Sequence, residues 1–212
     1  MPRLMDIGLE RLTNMVIDMA HLAEKAVRES LTAFLSHPGF SSDRIFRLSE
    51  QLNILREEVN DLAVELLARY QPLARDLRYI KACNDIAYDL SRFGRYAYDI
   101  SLTPEWLGDL SACDFTEVMA CSEKAIAMIE KSITAFKNKD VQLAKSLPMD
   151  DDVVDHKYKE ILISLLKNGS SRMECALAST LLIRHIERIA DHACYIADSV
   201  VYIVEGQKLG LH

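Results

Sequence analysis

Ser30-Leu-Thr-Ala-Phe34 returns 102 residues later as Ser132-Ile-Thr-Ala-Phe136. Leu90-x-Arg92-x4-Ala97-x2-Ile100 returns 96 residues later as Ile186-x-Arg188-x4-Ala193-x2-Ile196. A 212-residue chain that carries one pattern twice reads as two copies of one unit laid end to end. The six-residue difference in offset falls near the turn that holds Ala68-Arg-Tyr-Gln-Pro-Leu73.

Each copy has a helical period. Leu182, Ile186, Ile189, Ala193, Ile196, Val200 and Ile203 step alternately by 4 and 3, as do Ile86, Leu90, Phe93, Ala97 and Ile100. That is an apolar seam of heptad type. An earlier stripe runs through Leu9, Leu12, Met15 or Val16, Met19, Leu22 or Ala23, and Ala26. No alternating run makes a strand, and Gly and Pro total only 12, too few for a fold rich in tight turns. Breakers stand at Pro38-Gly39, Pro72, Pro104 with Gly108, Pro148, Gly169 and Gly206. The spacing predicts six long helices over 5–36, 42–70, 73–101, 114–138, 141–167 and 170–204. The expected fold is all-α, two tandem pseudo-symmetric three-helix bundles of spectrin-repeat type. The first repeat spans 1–104, the second 112–206, and a tail covers 207–212. The two bundles are expected to pack on each other.

The net charge of −7 opposes nucleic acid and anionic membrane, because binding to either rests on Lys and Arg. Every long apolar stretch is interrupted by charge, so no segment reads as a membrane span. The N-terminus lacks the apolar run of a signal peptide. The five cysteines form no CxxC pair and read as reduced, buried thiols of a cytoplasmic protein.

The sixth segment reads His185-Ile-Glu187-Arg188-Ile-Ala-Asp191-His192-Ala193. Glu187 and Asp191 lie four apart and share a helix face, where like charges repel unless a cation joins them. Asp152 and Asp155 lie three apart on the preceding helix, so two carboxylate pairs converge if the helices are antiparallel neighbours. Carboxylates alone suit hard cations; His156, His185 or His192 nearby would turn the preference to iron, manganese or zinc. A competing reading is structural: Arg184 and Arg188 each precede an acid by three residues, and Asp150 to Asp152 fit the start of a helix. In the first copy, Glu187 and Asp191 correspond to Ser91 and Arg95, and Asp152 and Asp155 to Glu50 and Asn53. Any metal site therefore belongs to the second copy. Pro72 fits the first turn of the third helix, with Asp76 near its positive end. Arg75, Arg78, Arg92 and Arg95 form a basic stretch, read either as solvated ion pairs or as a patch for an anion or acidic partner. Nucleotide-binding loops, a nucleophile elbow and Glu-x-x-His pairs are absent, which argues against catalysis, including a carboxylate-bridged metalloenzyme.

Gln71-Pro-Leu-Ala-Arg-Asp-Leu-Arg78, His185-Ile-Glu-Arg-Ile-Ala-Asp-His-Ala193 and the ending Val201-Tyr-Ile-Val-Glu-Gly206 strongly resemble the PhoU family of phosphate-uptake regulators, over almost the whole chain. The resemblance implies two three-helix bundles, often dimeric, with no catalytic activity. It implies a negative regulator of phosphate acquisition that restrains a phosphate ABC transporter through its ATPase subunit and connects it to a membrane sensor histidine kinase. It further implies metal, iron or zinc among others, at an (E/D)-x-x-x-D motif in each repeat. Here that motif falls on Glu187 and Asp191, with Asp152 and Asp155 beside them, while Ser91 and Arg95 break it. The first-repeat site is therefore expected to be lost, with Arg95 placed between Glu50 and Glu57 as a fixed positive charge. Arg75, Arg78 and Arg95 are the candidate partner-binding residues. The alternatives are the metalloenzyme and a metal-free helical scaffold.

Overall fold

The computed structural model describes residues 4–36, 41–168 and 172–210. The expected breaks at Pro38-Gly39 and Gly169, the first two residues of the 170–204 helix, and the last two of the tail lie outside them. Among the described residues there are helices and no strands: α1 (Leu4–Leu35), α2 (Asp43–Tyr70), α3 (Ala74–Leu107), α4 (Thr116–Asn138), α5 (Val141–Lys145), α6 (Leu147–Asn168) and α7 (Met173–Glu205). Six are long and α5 is a single turn.

The seams lie where the periodicity puts them. All seven α7 seam residues and all five of α3 are at most 2% exposed. On α1 the buried stripe runs through Leu12, Val16, Met19, Ala23 and Ala26, with Met15 and Leu22 at its margin. Helices α1 to α3 pack together, as do α4 to α7. The two units meet where α3 lies antiparallel to α7 and where α1 meets α4. At the latter contact Arg28 donates to Glu130, 2.6 Å away. Their numbers differ by the repeat offset, so equivalent positions face each other across a pseudo-twofold axis. Gly94 lets α2 come close to α3: a Cβ there would stand 2.6 Å from Leu52 Cδ1 and 3.2 Å from the Ser49 Cα.

Three boundaries differ from the sequence reading. The 141–167 helix is two pieces. The Asp140 carboxylate caps α5 by accepting from Leu143 N (2.9 Å), the Ser146 hydroxyl donates to Leu143 O (2.7 Å), and Pro148, which has no N–H, sits in the first turn of α6. Pro104 does not end α3. Its carbonyl accepts from Gly108 N at 2.9 Å, and the helix stops at Gly108 with φ +81°. Pro72 stands before α3 rather than in its first turn, in the short turn between Gln71, the left-handed cap of α2, and Leu73. Asp76 is in the first turn as expected.

The cysteine reading is corrected. Cys113, in the connection between α3 and α4, forms a disulfide with Cys175 in the first turn of α7. Cys83, Cys121 and Cys194 are free and buried. Sequence spacing could not pair two residues 62 apart that only the packing of α4 against α6 and α7 brings together.

Candidate functional site

Helix α6 lies against α7, and the start of α6 faces the middle of α7. Five carboxylates gather there: Asp151, Asp152 and Asp155 from α6, Glu187 and Asp191 from α7. Glu187 and Asp191 are half-buried, with side chains 14% and 20% exposed. Burial first, then the charges of Asp191, Asp155, Glu187 and Asp152, push the Asp151 carboxyl up to about 7. Burial also raises Glu187, helped by Asp191 and opposed by Arg184 and Arg188. It raises Asp191 against the pull of Arg188.

Cations compensate part of this charge. Arg184 Nη1 donates to both Glu187 carboxylate oxygens at 2.8 Å. Arg188 Nη1 reaches Asp191 Oδ2 at 3.5 Å, and Lys159 stands 3.5 Å from Asp155. Five carboxylates thus face three cations, and Asp151 Oδ1 is buried with no hydrogen-bond partner. A buried acceptor without a donor is costly unless a proton or a cation supplies the missing charge. The donor set therefore fits a hard cation. Among the described residues no three His, Cys, Asp or Glu side chains are gathered closely enough to clasp an ion as they stand. Binding would require Glu187 to leave Arg184.

The imidazoles are elsewhere. His156 is 73% exposed and stands 3.2 Å from Glu160 on the outer side of α6. His192 points to the opposite side of α7, into the contact with α3. Its Nδ1 is 2.8 Å from Asp89 Oδ1 and its Nε2 3.2 Å from the Tyr96 hydroxyl. Both ring nitrogens are occupied. His185 is held low by burial, its ring 6.0 Å from that of Tyr96. The site is all-oxygen, which moves the metal preference from zinc toward magnesium, calcium or manganese.

The corresponding residues of the first copy are engaged otherwise. Ser91 Oγ donates to Tyr88 O, Glu50 accepts from Asn53, and Glu57 pairs with Arg56. Arg95 does not sit between Glu50 and Glu57. It pairs with Asp99 one turn along, at 3.0 Å, and lies over the Tyr98 ring. An acid at i+4 on the same helix is within easy reach of an arginine.

The basic stretch does not form one patch either. Arg75 lines a cleft of about 370 Å³ with Asp6, Glu10, Thr13, Tyr79 and Lys139. Arg78 lies beside Gly206 at the end of α7, where a cation suits the helix terminus. Arg92 stacks on Tyr96, 4.9 Å from the ring centre. Twenty residues of helix put about 30 Å between Arg75 and Arg95. The sequence reading missed Asp151 as a member of the site, although it stands in the Asp150-Asp151-Asp152 run. It also missed the His192–Tyr96 contact, although the 96-residue offset pairs those two positions.

Comparison with known proteins places this architecture. The model of the PhoU domain matches residues 16–103 and 118–200. This chain belongs to the PhoU family. PhoU-family proteins are regulatory and not enzymes. A relative from Pseudomonas putida, described as a phosphate-specific transport system accessory protein PhoU homolog, is 29% identical over 203 residues, 93% of this chain and 79% of the relative. One from Synechocystis with the same description is 29% identical over 95% of this chain and 91% of its own. The crystal structure of PhoU from Pseudomonas aeruginosa aligns with TM-score 0.87 at 28% identity, covering 95% of this chain and 99% of that one. The phosphate transport system regulatory protein PhoU from Streptococcus pneumoniae shares the fold, with TM-score 0.87 at 21% identity over 97% of this chain and 99% of its own.

Proposed function

We propose that this PhoU-family chain is a non-catalytic accessory protein that restrains phosphate uptake by docking through the α6–α7 acidic face. A divalent cation held by Asp151, Asp152, Asp155, Glu187 and Asp191 completes that face; when bound it supplies positive charge that joins the carboxylates to each other and to a partner group. Asp151 Oδ1 carries this reading, because a buried carboxylate oxygen with no donor among four other carboxylates needs a counter-charge. Manganese suits the all-oxygen set better than iron or zinc, and the first repeat holds none. The partner is the ATPase subunit of a phosphate ABC transporter and, where one exists, its sensor histidine kinase, which places the protein in the cytoplasm. The names of the relatives support the transport role. No helix among the described residues is long and apolar enough to cross a membrane. The chain acts as a homodimer in this reading.

The test combines elemental analysis with capture. Untagged protein purified without chelator should carry a divalent metal that Glu187→Ala with Asp191→Ala loses. The wild type should retain the cognate ATPase subunit in high phosphate, and chelator should release it. Metal-free wild type that melts identically after manganese is added sinks the metal-linked part. Equal capture by wild type and the double variant leaves the metal-free scaffold. Size-exclusion chromatography with light scattering decides the dimer.

A further inference from the structure

We infer that Cys113 and Cys175 form a reversible dithiol–disulfide site, whose reactant class is the small disulfide of glutathione type and which fastens the inter-repeat connection to the start of α7. The two cysteines are half-buried, whereas Cys83, Cys121 and Cys194 are buried. Burial raises Cys83 and Cys121 to about 12 and about 11 and raises Cys194 as well, so those thiols are poor nucleophiles. One reachable pair remains among five cysteines.

The surroundings give the two sulfurs different roles. Cys175 stands in the first turn of a 33-residue helix, with Arg172 at its N-cap. The partial positive charge of that terminus favours a thiolate at Cys175, while the Arg172 guanidinium is engaged by Glu174 at 2.6 Å. Cys113 stands in an irregular connection, its N–H donating to Leu110 O at 2.9 Å. Cys175 is therefore the attacking sulfur. Its thiolate displaces one thiolate from the small disulfide and forms a mixed disulfide. The Cys113 thiolate then attacks Cys175 Sγ, closes the internal bond and releases the second thiol. Two protein thiols and one small disulfide become one protein disulfide and two small thiols, with two electrons and two protons transferred.

The bond also has a mechanical place. It closes a ring that contains α4, α5 and α6 entire. Cys113 lies in the stretch between the two segments the family model matches and Cys175 lies within the second, so the bond ties the connection to the second repeat. With the bond open, the connection meets the start of α7 through the Arg172 Nη2 hydrogen bond to Asp109 O at 3.0 Å. The first turns of α7 then fray more readily, because a helix end has few internal bonds.

The experiment equilibrates the full chain in glutathione buffers from fully reduced to fully oxidised, alkylates the free thiols, and reads each cysteine by peptide mass spectrometry. Cys113 and Cys175 should pass together from labelled to protected, with the other three unlabelled throughout in the native protein. In Cys113→Ser, Cys175 should be trapped as the glutathione mixed disulfide, and faster than Cys113 is in Cys175→Ser. Hydrogen exchange should quicken in residues 173–179 of the reduced protein and stay unchanged in 186–200. Labelling of both cysteines in the most oxidising buffer overturns the site. Protection in the most reducing buffer overturns its reversibility. Equal exchange in the two forms overturns the fastening role.

Discussion

Tyr96 and His192 occupy the same place in the two repeats, and they hydrogen-bond to each other across the pseudo-twofold axis at 3.2 Å. Arg28 and Glu130 do likewise where α1 meets α4. The duplication has thus diverged most usefully at its own axis, where identical residues would face themselves. The same divergence surrounds His192. Asp89, 2.8 Å from its Nδ1, corresponds in the second repeat to His185, whose ring lies 6.0 Å from that of Tyr96. One repeat supplies carboxylate and phenol, the other two imidazoles. The buried polar cluster that results joins the bundles with both His192 nitrogens satisfied.

Removing part of that cluster should destabilise the protein in a graded way. Tyr96→Phe deletes one hydrogen bond and should cost about 1 kcal/mol. His192→Ala leaves the buried Asp89 without its partner and opens a cavity, so about 3 kcal/mol is expected. Urea unfolding of the two single variants and the double variant gives the coupling between them. A loss under 0.5 kcal/mol for His192→Ala would show that the cluster does not hold α3 to α7.

The acidic face makes a prediction about pH. Asp151 titrates near 3.8 when unfolded and near 7 in the folded, metal-free protein. Between those values the folded state keeps a proton that the unfolded state has lost. This contribution is present in full below pH 4 and is lost as pH rises through 7. The lost stability is roughly 1–2 kcal/mol after allowance for solvent screening of a half-buried group. Urea midpoints of chelated wild type should therefore be higher at pH 5 than at pH 8, and Asp151→Asn should flatten much of the difference. A variant whose midpoints keep the wild-type dependence would place the titration on another group.

Arginine and metal compete for Glu187. Arg184 holds both carboxylate oxygens at 2.8 Å, so Arg184→Ala should free a ligand and tighten manganese binding. A charge-assisted pair of this exposure is worth about 1 kcal/mol, so a gain of roughly fivefold is expected. Calorimetric titration measures it. Glu187→Ala should move affinity the opposite way. Weaker binding by Arg184→Ala would mean that the guanidinium orders the site rather than blocking it.

The heptad steps through α3 and α7 were legible because burial follows the helical period directly, and every seam residue lies inside. The repeat offsets likewise gave two copies of a three-helix unit. The split at Ser146 was less so, because Asp140 and Pro148 signal a helix start while the apolar pattern runs on between them. Of the site, Glu187, Asp191, Asp152 and Asp155 were legible as faces of two helices. The direction of each imidazole was not. His192 stands one residue after Asp191, and one residue is a 100° turn, enough to carry it from the acidic face to the core. Arg95 was misplaced because its choice between Asp99 and the acids of α2 rests on side-chain geometry.

The Cys113–Cys175 bond closes a long loop, and the size of its effect follows from that length. In the chain-entropy account, a cross-link over about 62 residues removes roughly 4 kcal/mol of freedom from the unfolded chain. The pair sits at the end of the second bundle, so native packing changes little when the bond is absent. Cys113→Ser with Cys175→Ser should therefore lower the midpoint by roughly 8 °C for a protein of this size. Wild type melted in reductant should fall to the same temperature, and reductant should not move the variant. Its α3–α7 seam should stay protected from hydrogen exchange. A variant that melts with oxidised wild type would show that the unfolded chain already holds these ends together, and that the bond adds no stability of its own.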